Sequence, residues 1–151
     1  PQDEHAWFDL GLACDETSEY AQAIDAYRQA LKINPQDEHA WVTLGIDYAV
    51  ENQQYAQAID AYRQALKINP QDEHAWNFLG SAYFEASEYA QAIDAFRQVL
   101  QINPRSATGW FQLGVSYEVS GQQQQALTVY QHLKTLDPAL AEKLFNVIVP
   151  K

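Results

Sequence analysis

Three histidines recur on a fixed spacing: His5, His39 and His74 each stand two residues before a tryptophan (Trp7, Trp41, Trp76). Imidazole is a common metal ligand, so metal binding is the first chemistry to weigh. A shared ion would need its ligands within about 2.1 Å of one point. Copies of one position on successive packed helices stand about 8–10 Å apart. A shared site is therefore not expected, and the fourth histidine, His132, occupies a different place in the pattern. The three instead fit exposed first-turn residues carried along by duplication. No glycine-rich phosphate loop, nucleophile elbow or metal-binding helix motif is present, so neither catalysis nor a cofactor is expected.

Two other side chains ask for an explanation. Cys14 stands where the other copies of its position carry tyrosine (Tyr48, Tyr83, Tyr117), which suits a small buried hydrophobe better than a nucleophile. Asp47 stands where its copies are small, Ala13, Ala82 and Ser116. A carboxylate there is either displaced toward water or a backbone donor, by an extra residue that its repeat carries, or it contacts a basic ligand group. A perturbed pKa would mark the second case.

The elements that position these residues come from an internal repeat. The string YAQAIDAYRQALKINPQDEHAW occurs without a difference at Tyr20–Trp41 and at Tyr55–Trp76. Prolines at positions 1, 35, 70, 104 and 138 divide the chain into steps of 34, 35, 34 and 34 residues. In each unit Trp7, Trp41, Trp76 or Trp110 is followed by Leu-Gly three residues on, then by Cys14, Tyr48, Tyr83 or Tyr117. Later come Ala23, Ala58, Ala92 and Ala126, each followed four residues on by Tyr27, Tyr62, Phe96 or Tyr130. Apolar residues at i, i+3, i+4 and i+7 predict amphipathic helices, and Asp3, Asp37, Asp72 and Ser106 are placed to cap the first of each pair. The tail after Pro138 leaves the pattern. Leu140, Leu144, Phe145 and Ile148 form an apolar face there, as expected of a capping helix.

The pattern W-x2-L-G-x2-Y, A-x3-F/Y, P at this period resembles the tetratricopeptide repeat (TPR) family over residues 1–138. The resemblance implies an all-α, right-handed superhelix of antiparallel helix pairs. One array would span residues 1–151, with repeats at about 1–34, 35–69, 70–103 and 104–137 and a cap at about 138–149. It also implies a groove lined by the first helix of each pair. In the first repeat that face holds His5, Phe8, Asp9, Leu12, Asp15 and Glu16. The second supplies His39, Val42, Thr43 and Ile46, with Ala49 and Val50. The third supplies His74, Asn77, Phe78, Ser81, Phe84 and Glu85. The fourth supplies Phe111, Gln112 and Val115, with Thr108, Glu118 and Val119. A TPR subclass holds chaperone C-terminal tails with a Lys/Asn carboxylate clamp. Phe8, Leu12, Thr43, His74 and Phe78 occupy the clamp positions here, so such a partner is not expected.

Charge narrows the partner further. The net charge is −11 and the pI about 4.5, which argues against nucleic acid and an anionic membrane surface. No apolar run is long enough to insert into a membrane. The nine cations, Arg28 to Lys151, all lie on second helices, in connections or in the tail, whereas the first helices hold Asp9, Asp15, Glu16, Asp47, Glu51, Glu85 and Glu118 beyond their opening turns. A protein or peptide ligand with apolar anchors and basic flanks would complement that face. Two alternatives are an array that self-associates through an uncovered first repeat and a designed or consensus-derived protein, which the identical exposed residues suggest. The chain has no Met and begins in mid-pattern, as an excised fragment would. Its single cysteine fits a reducing compartment such as the cytoplasm without fixing one.

Overall fold

The computed structural model describes residues 3–149, so Pro1 and Lys151, the first repeat proline and the last cation, lie outside them. All regular structure among the described residues is helical. The elements are α1 (Glu4–Glu16), α2 (Tyr20–Ile33), α3 (Glu38–Val50), α4 (Tyr55–Ile68), α5 (Glu73–Glu85), α6 (Tyr89–Ile102), α7 (Ala107–Val119), α8 (Gln123–Leu136) and α9 (Pro138–Ile148). Odd-numbered α1 to α7 are the first helices of the repeats and even-numbered α2 to α8 the second. The helix pairs are those that the repeat pattern predicts, and α9 follows the last pair.

Each first helix begins where the sequence places its cap. Asp3 accepts from the His5 N–H at 3.0 Å, Asp37 from Ala40 at 3.2 Å, Asp72 from His74 at 2.8 Å and Ser106 from Gly109 at 3.3 Å. These bonds satisfy N–H groups that the helix leaves without partners. The second helices α2, α4, α6 and α8 have no side-chain cap. Their turns are closed by backbone instead, with Glu19, Gln54, Glu88 and Gln122 donating to the carbonyls of Cys14, Tyr48, Tyr83 and Tyr117. The Trp and Pro of the motif are linked too. The indole N–H of Trp41 donates to the Pro35 carbonyl at 2.9 Å, as Trp76 does to Pro70 and Trp110 to Pro104.

The chain divides into two compact units within α5, between Phe78 and Leu79. In the first, α1 packs on α2, α2 on α3 and α3 on α4 around Cys14, Ile24, Tyr27, Leu31 and Leu44. In the second, α7 packs on α6 and α8, and α9 covers both α7 and α8 around Phe96, Leu113, Leu133 and Leu144. The mid-helix glycines explain how closely these helices approach. A Cβ on Gly45 would stand 2.5–2.9 Å from the Tyr62 ring, and Gly11 stands in the same relation to Tyr27.

Three details differ from the sequence pattern. Leu10 is 46% exposed although Leu44, Leu79 and Leu113 at the same position are buried. Leu44 shares a core with Leu31 on the second helix of the preceding repeat, and among the described residues no helix precedes α1. In α9 the inward face is Ala141, Leu144 and Ile148; Phe145 lies at its edge, 40% exposed, with its ring centroid 5.4 Å from that of Tyr130. The extra residue of the second repeat is absorbed in the α3–α4 turn. Asn52 and Gln53 both adopt left-handed conformations (φ 56° and 55°), where the other turns have one such residue, Ser18, Ser87 or Gly121.

Gly45→Ala is expected to lower stability despite the better helix propensity of alanine. Overpacking against the buried Tyr62 ring costs about 1–3 kcal/mol, more than the roughly 1 kcal/mol gained from propensity. The thermal midpoint followed by far-UV circular dichroism should fall; an unchanged or higher midpoint would contradict this account of the helix contact.

Candidate functional site

None of the nineteen predicted groove residues is buried: each is exposed or half-buried on α1, α3, α5 or α7. The first unit gathers several into two small hollows between successive first helices. One, of about 250 Å³, is lined by His5, Phe8, Asp9 and His39 together with Glu4 and Asp37. Its neighbour, of about 210 Å³, repeats the arrangement one helix on, with His39, Val42, Thr43, His74, Glu38 and Asp72. Aromatic residues complete the face: Phe8 packs at 5.4 Å from Tyr27 and Phe78 stacks at 5.7 Å on Tyr62. In the second unit Phe84 packs edge-on against Tyr89 at 5.3 Å, and Ser81, Phe111, Gln112 and Val115 are half-buried. The histidines are exposed and form no metal cluster among the described residues.

The electrostatics of the first unit centre on Asp47. Displacement toward water does not occur, because Asp47 is 2% exposed and the added residue is accommodated in the turn after α3. The Tyr48 carbonyl closes that turn as its copies close theirs, so α3 keeps its register and Asp47 stays inside. There it faces Asp15, whose Oδ2 accepts a 2.6 Å hydrogen bond from the Tyr27 hydroxyl. Burial, then the charge of Asp15, raises the Asp47 carboxyl to about 7. Burial and the bond to Asp15 likewise raise the Tyr27 hydroxyl, and burial with the charge of Asp47 raises that of Tyr62. Two ionised carboxylates cannot donate to each other. With both ionised, Asp15 Oδ1 and Asp47 Oδ2 are buried without a hydrogen-bond partner. A proton held between them relieves both. A second acid pair joins α3 to the α5 cap: burial and the Asp72 carboxyl raise Glu38, against the bond it accepts from Asn69 at 3.2 Å.

A wider hollow in each unit opens between a first helix and the second helices beside it, and neither was expected. In the first unit a cleft of about 560 Å³ opens between α2, α3 and α4, with Trp41, Leu44 and Tyr48 on one wall and Arg28 and Lys32 on another. Trp110, Leu113, Tyr117 and Arg97 form its copy, about 480 Å³, between α6, α7 and α8. Arg28, Lys32 and Trp41 lie in the identical string, which made them look like scaffold, yet the recurring Trp, Tyr and Arg at helical spacing were a usable signal. Internal contacts engage the polar rim of the second cleft. Arg97 donates to the Tyr117 hydroxyl at 2.8 Å and pairs with Asp94 at 3.2 Å. The His132 ring lies 4.2 Å from that of Trp110.

Comparison with known proteins agrees with this architecture. The profile of the cytochrome c-type biogenesis protein H TPR domain matches residues 1–106, and a tetratricopeptide repeat profile matches residues 80–141. Among solved structures, the chain is similar to MamA (23% identity, TM-score 0.84, covering 96% of this chain and 89% of that one). It is also similar to YrrB, described as a TPR protein with an unusual peptide-binding site (20%, TM-score 0.83, covering 97% and 75%). A third is MamA 41-end from Desulfovibrio magneticus RS-1 (20%, TM-score 0.82, covering 91% and 77%). No curated protein sequence matches significantly.

The acid pair makes stability depend on pH in a defined direction. The folded-state value of Asp47 lies above its unfolded value of 3.8, so the native state binds the additional proton. Stability therefore falls as pH rises from about 4 to about 7, and the loss is complete above that window. Asp47→Asn removes the charge at nearly constant shape. The variant should match the parent near pH 4 and exceed it near pH 8 in urea midpoint. Parallel pH profiles for the two proteins would show that the pair carries no such penalty.

Proposed function

The chain belongs to the tetratricopeptide repeat family, and from that membership we propose that it is a non-catalytic interaction scaffold whose first-helix face binds a peptide or helix with apolar anchors and basic flanks. One observation supports the ligand's chemistry above the rest. The first helices carry Asp9, Asp15, Glu16, Glu85 and Glu118 beyond their opening turns and no Lys or Arg. Helices with acidic and no basic side chains are complemented by a ligand that brings positive charge. Half-buried Phe8, Val42, Ile46 and Phe78 in the first unit offer the apolar contacts. The YrrB description lends support at the level of the fold, since a chain of similar structure has a peptide-binding site.

Self-association is a second reading, and the exposed apolar side chains of Leu12 and Val50 favour it. Light scattering across a concentration series separates the two readings, since a mass fixed at the monomer value removes the second.

The first reading is tested with fluorescent amphipathic peptides of Leu and Lys, compared with peptides of Leu and Glu, by anisotropy. The Leu/Lys peptide should bind saturably and more weakly as salt rises. Phe78→Ala should weaken it by tenfold or more, the scale for losing a buried aromatic anchor, while the helical circular dichroism signal stays native. Equal binding of the acidic peptide, or indifference to Phe78→Ala, would reject the proposal.

A further inference from the structure

None of the residues lining the wide hollow of the first unit is among the predicted groove positions. We propose that this hollow is a second binding site, for a small amphipathic carboxylate. Its ligand would be an aromatic or acyl body with one anionic head, and Arg28 would receive the head.

The cleft between α2, α3 and α4 holds about 560 Å³, a size usual for small-molecule sites. Its floor is apolar, with Leu31, Leu44 and Ala61 buried there. Trp41 and Tyr48, both half-buried, give it an aromatic wall. The 2.9 Å bond from the Trp41 indole N–H to the Pro35 carbonyl fixes that ring by its edge and leaves its face for stacking. Arg28 and Lys32 stand one helical turn apart on α2 and line the same hollow. From α4 come Gln57, Asp60 and Gln64. Asp60 is the one acid among the described lining residues, so the two cations outweigh it. An anionic head is therefore drawn to the α2 wall and held away from α4.

The second unit provides the comparison. Arg97 and Tyr117 are the copies of Arg28 and Tyr48. There the guanidinium donates to the tyrosine hydroxyl at 2.8 Å and pairs with Asp94 at 3.2 Å. The His132 ring lies against Trp110 at 4.2 Å, where the first cleft has Gln64. Gln101 takes the place of Lys32, so the copy also has one cation fewer. Among the described residues Arg28 makes no such hydrogen bond or ion pair, although Asp25 and Tyr48 stand at the equivalent positions. The same groups are closed on one another in the second unit and left open in the first. A free guanidinium offers a planar fork of donors that a carboxylate accepts two at a time. Lys32 donates to Gln29 at 3.3 Å and keeps further N–H groups for the same head.

Naphthaleneacetate and its uncharged amide, titrated into the isotope-labelled chain, test the site. The readout is the indole N–H resonances of Trp41 and Trp110. The carboxylate should shift Trp41 saturably and leave Trp110 in place, so one cleft serves as the control for the other. The amide should bind about tenfold more weakly, and so should the carboxylate in Arg28→Gln. Arg28 is exposed, and that variant should keep the native circular dichroism spectrum. Asp60→Asn should tighten the carboxylate about twofold, the scale of one exposed like charge. Arg63→Gln, an equal loss of positive charge outside the cleft, should change nothing. Equal binding of acid and amide, or an unaltered titration in Arg28→Gln, would overturn the proposal. Matching shifts of Trp41 and Trp110, or no saturable shift in the parent, would do the same.

Discussion

The contact on which this molecule depends is the one between a glycine and an aromatic ring. Gly11, Gly45 and Gly80 lie in the middle of first helices, and in each case a Cβ would collide with the ring of Tyr27, Tyr62 or Phe96 on the paired helix. A glycine in a helix interior costs about 1 kcal/mol relative to alanine. The return is a flat stretch of backbone against which a large ring packs. Because the ring belongs to the second helix and the glycine to the first, the contact sets the spacing within the pair. The same contact aims the first helix outward. Tyr27, held by Gly11, places its hydroxyl on Asp15, so the packing residue also builds the floor of the acid pair.

Much of this was legible because helices announce themselves through periodicity and caps. The proline and tryptophan spacing located the repeats, and Asp3, Asp37, Asp72 and Ser106 do cap the helices that follow them. The groove positions came from the family resemblance, and none of them is buried. What could not be read was set by neighbours distant in sequence. Nothing local distinguishes Leu10 from Leu44, yet one is exposed and the other buried, because coverage depends on the second helix of a preceding repeat. Asp47 shows the same limit. Its small-residue copies signalled burial, but the opposing acid, Asp15, lies 32 positions earlier, and only the stacking of α3 on the first pair brings the two together.

The distribution of charge is the second organising feature. Opening-turn acids such as Glu4, Glu38 and Glu73 are favoured by the helix dipole and need no ligand. Asp15, Asp47 and Glu118 lie beyond the reach of that effect, and each has a buried oxygen that lacks a donor when the carboxyls are ionised. Such groups reduce the stability of the free protein. Among the described residues, the Arg and Lys side chains lie instead on second helices, in a connection or on α9, and in the second unit Arg97 is paired internally with Tyr117 and Asp94.

The turn between α3 and α4 carries a consequence for the architecture as a whole. Two adjacent left-handed residues, Asn52 and Gln53, take up the added residue, and the Tyr48 carbonyl still receives its N–H. The helices on either side keep their phase, so the length of the repeat is a property of the linker and not of the packing. A 34-residue spacing is therefore a habit of this chain that selection can vary. This corner offers a place to lengthen the loop or insert a foreign segment, and the new sequence would emerge at one rim of the stack with the helix faces undisturbed.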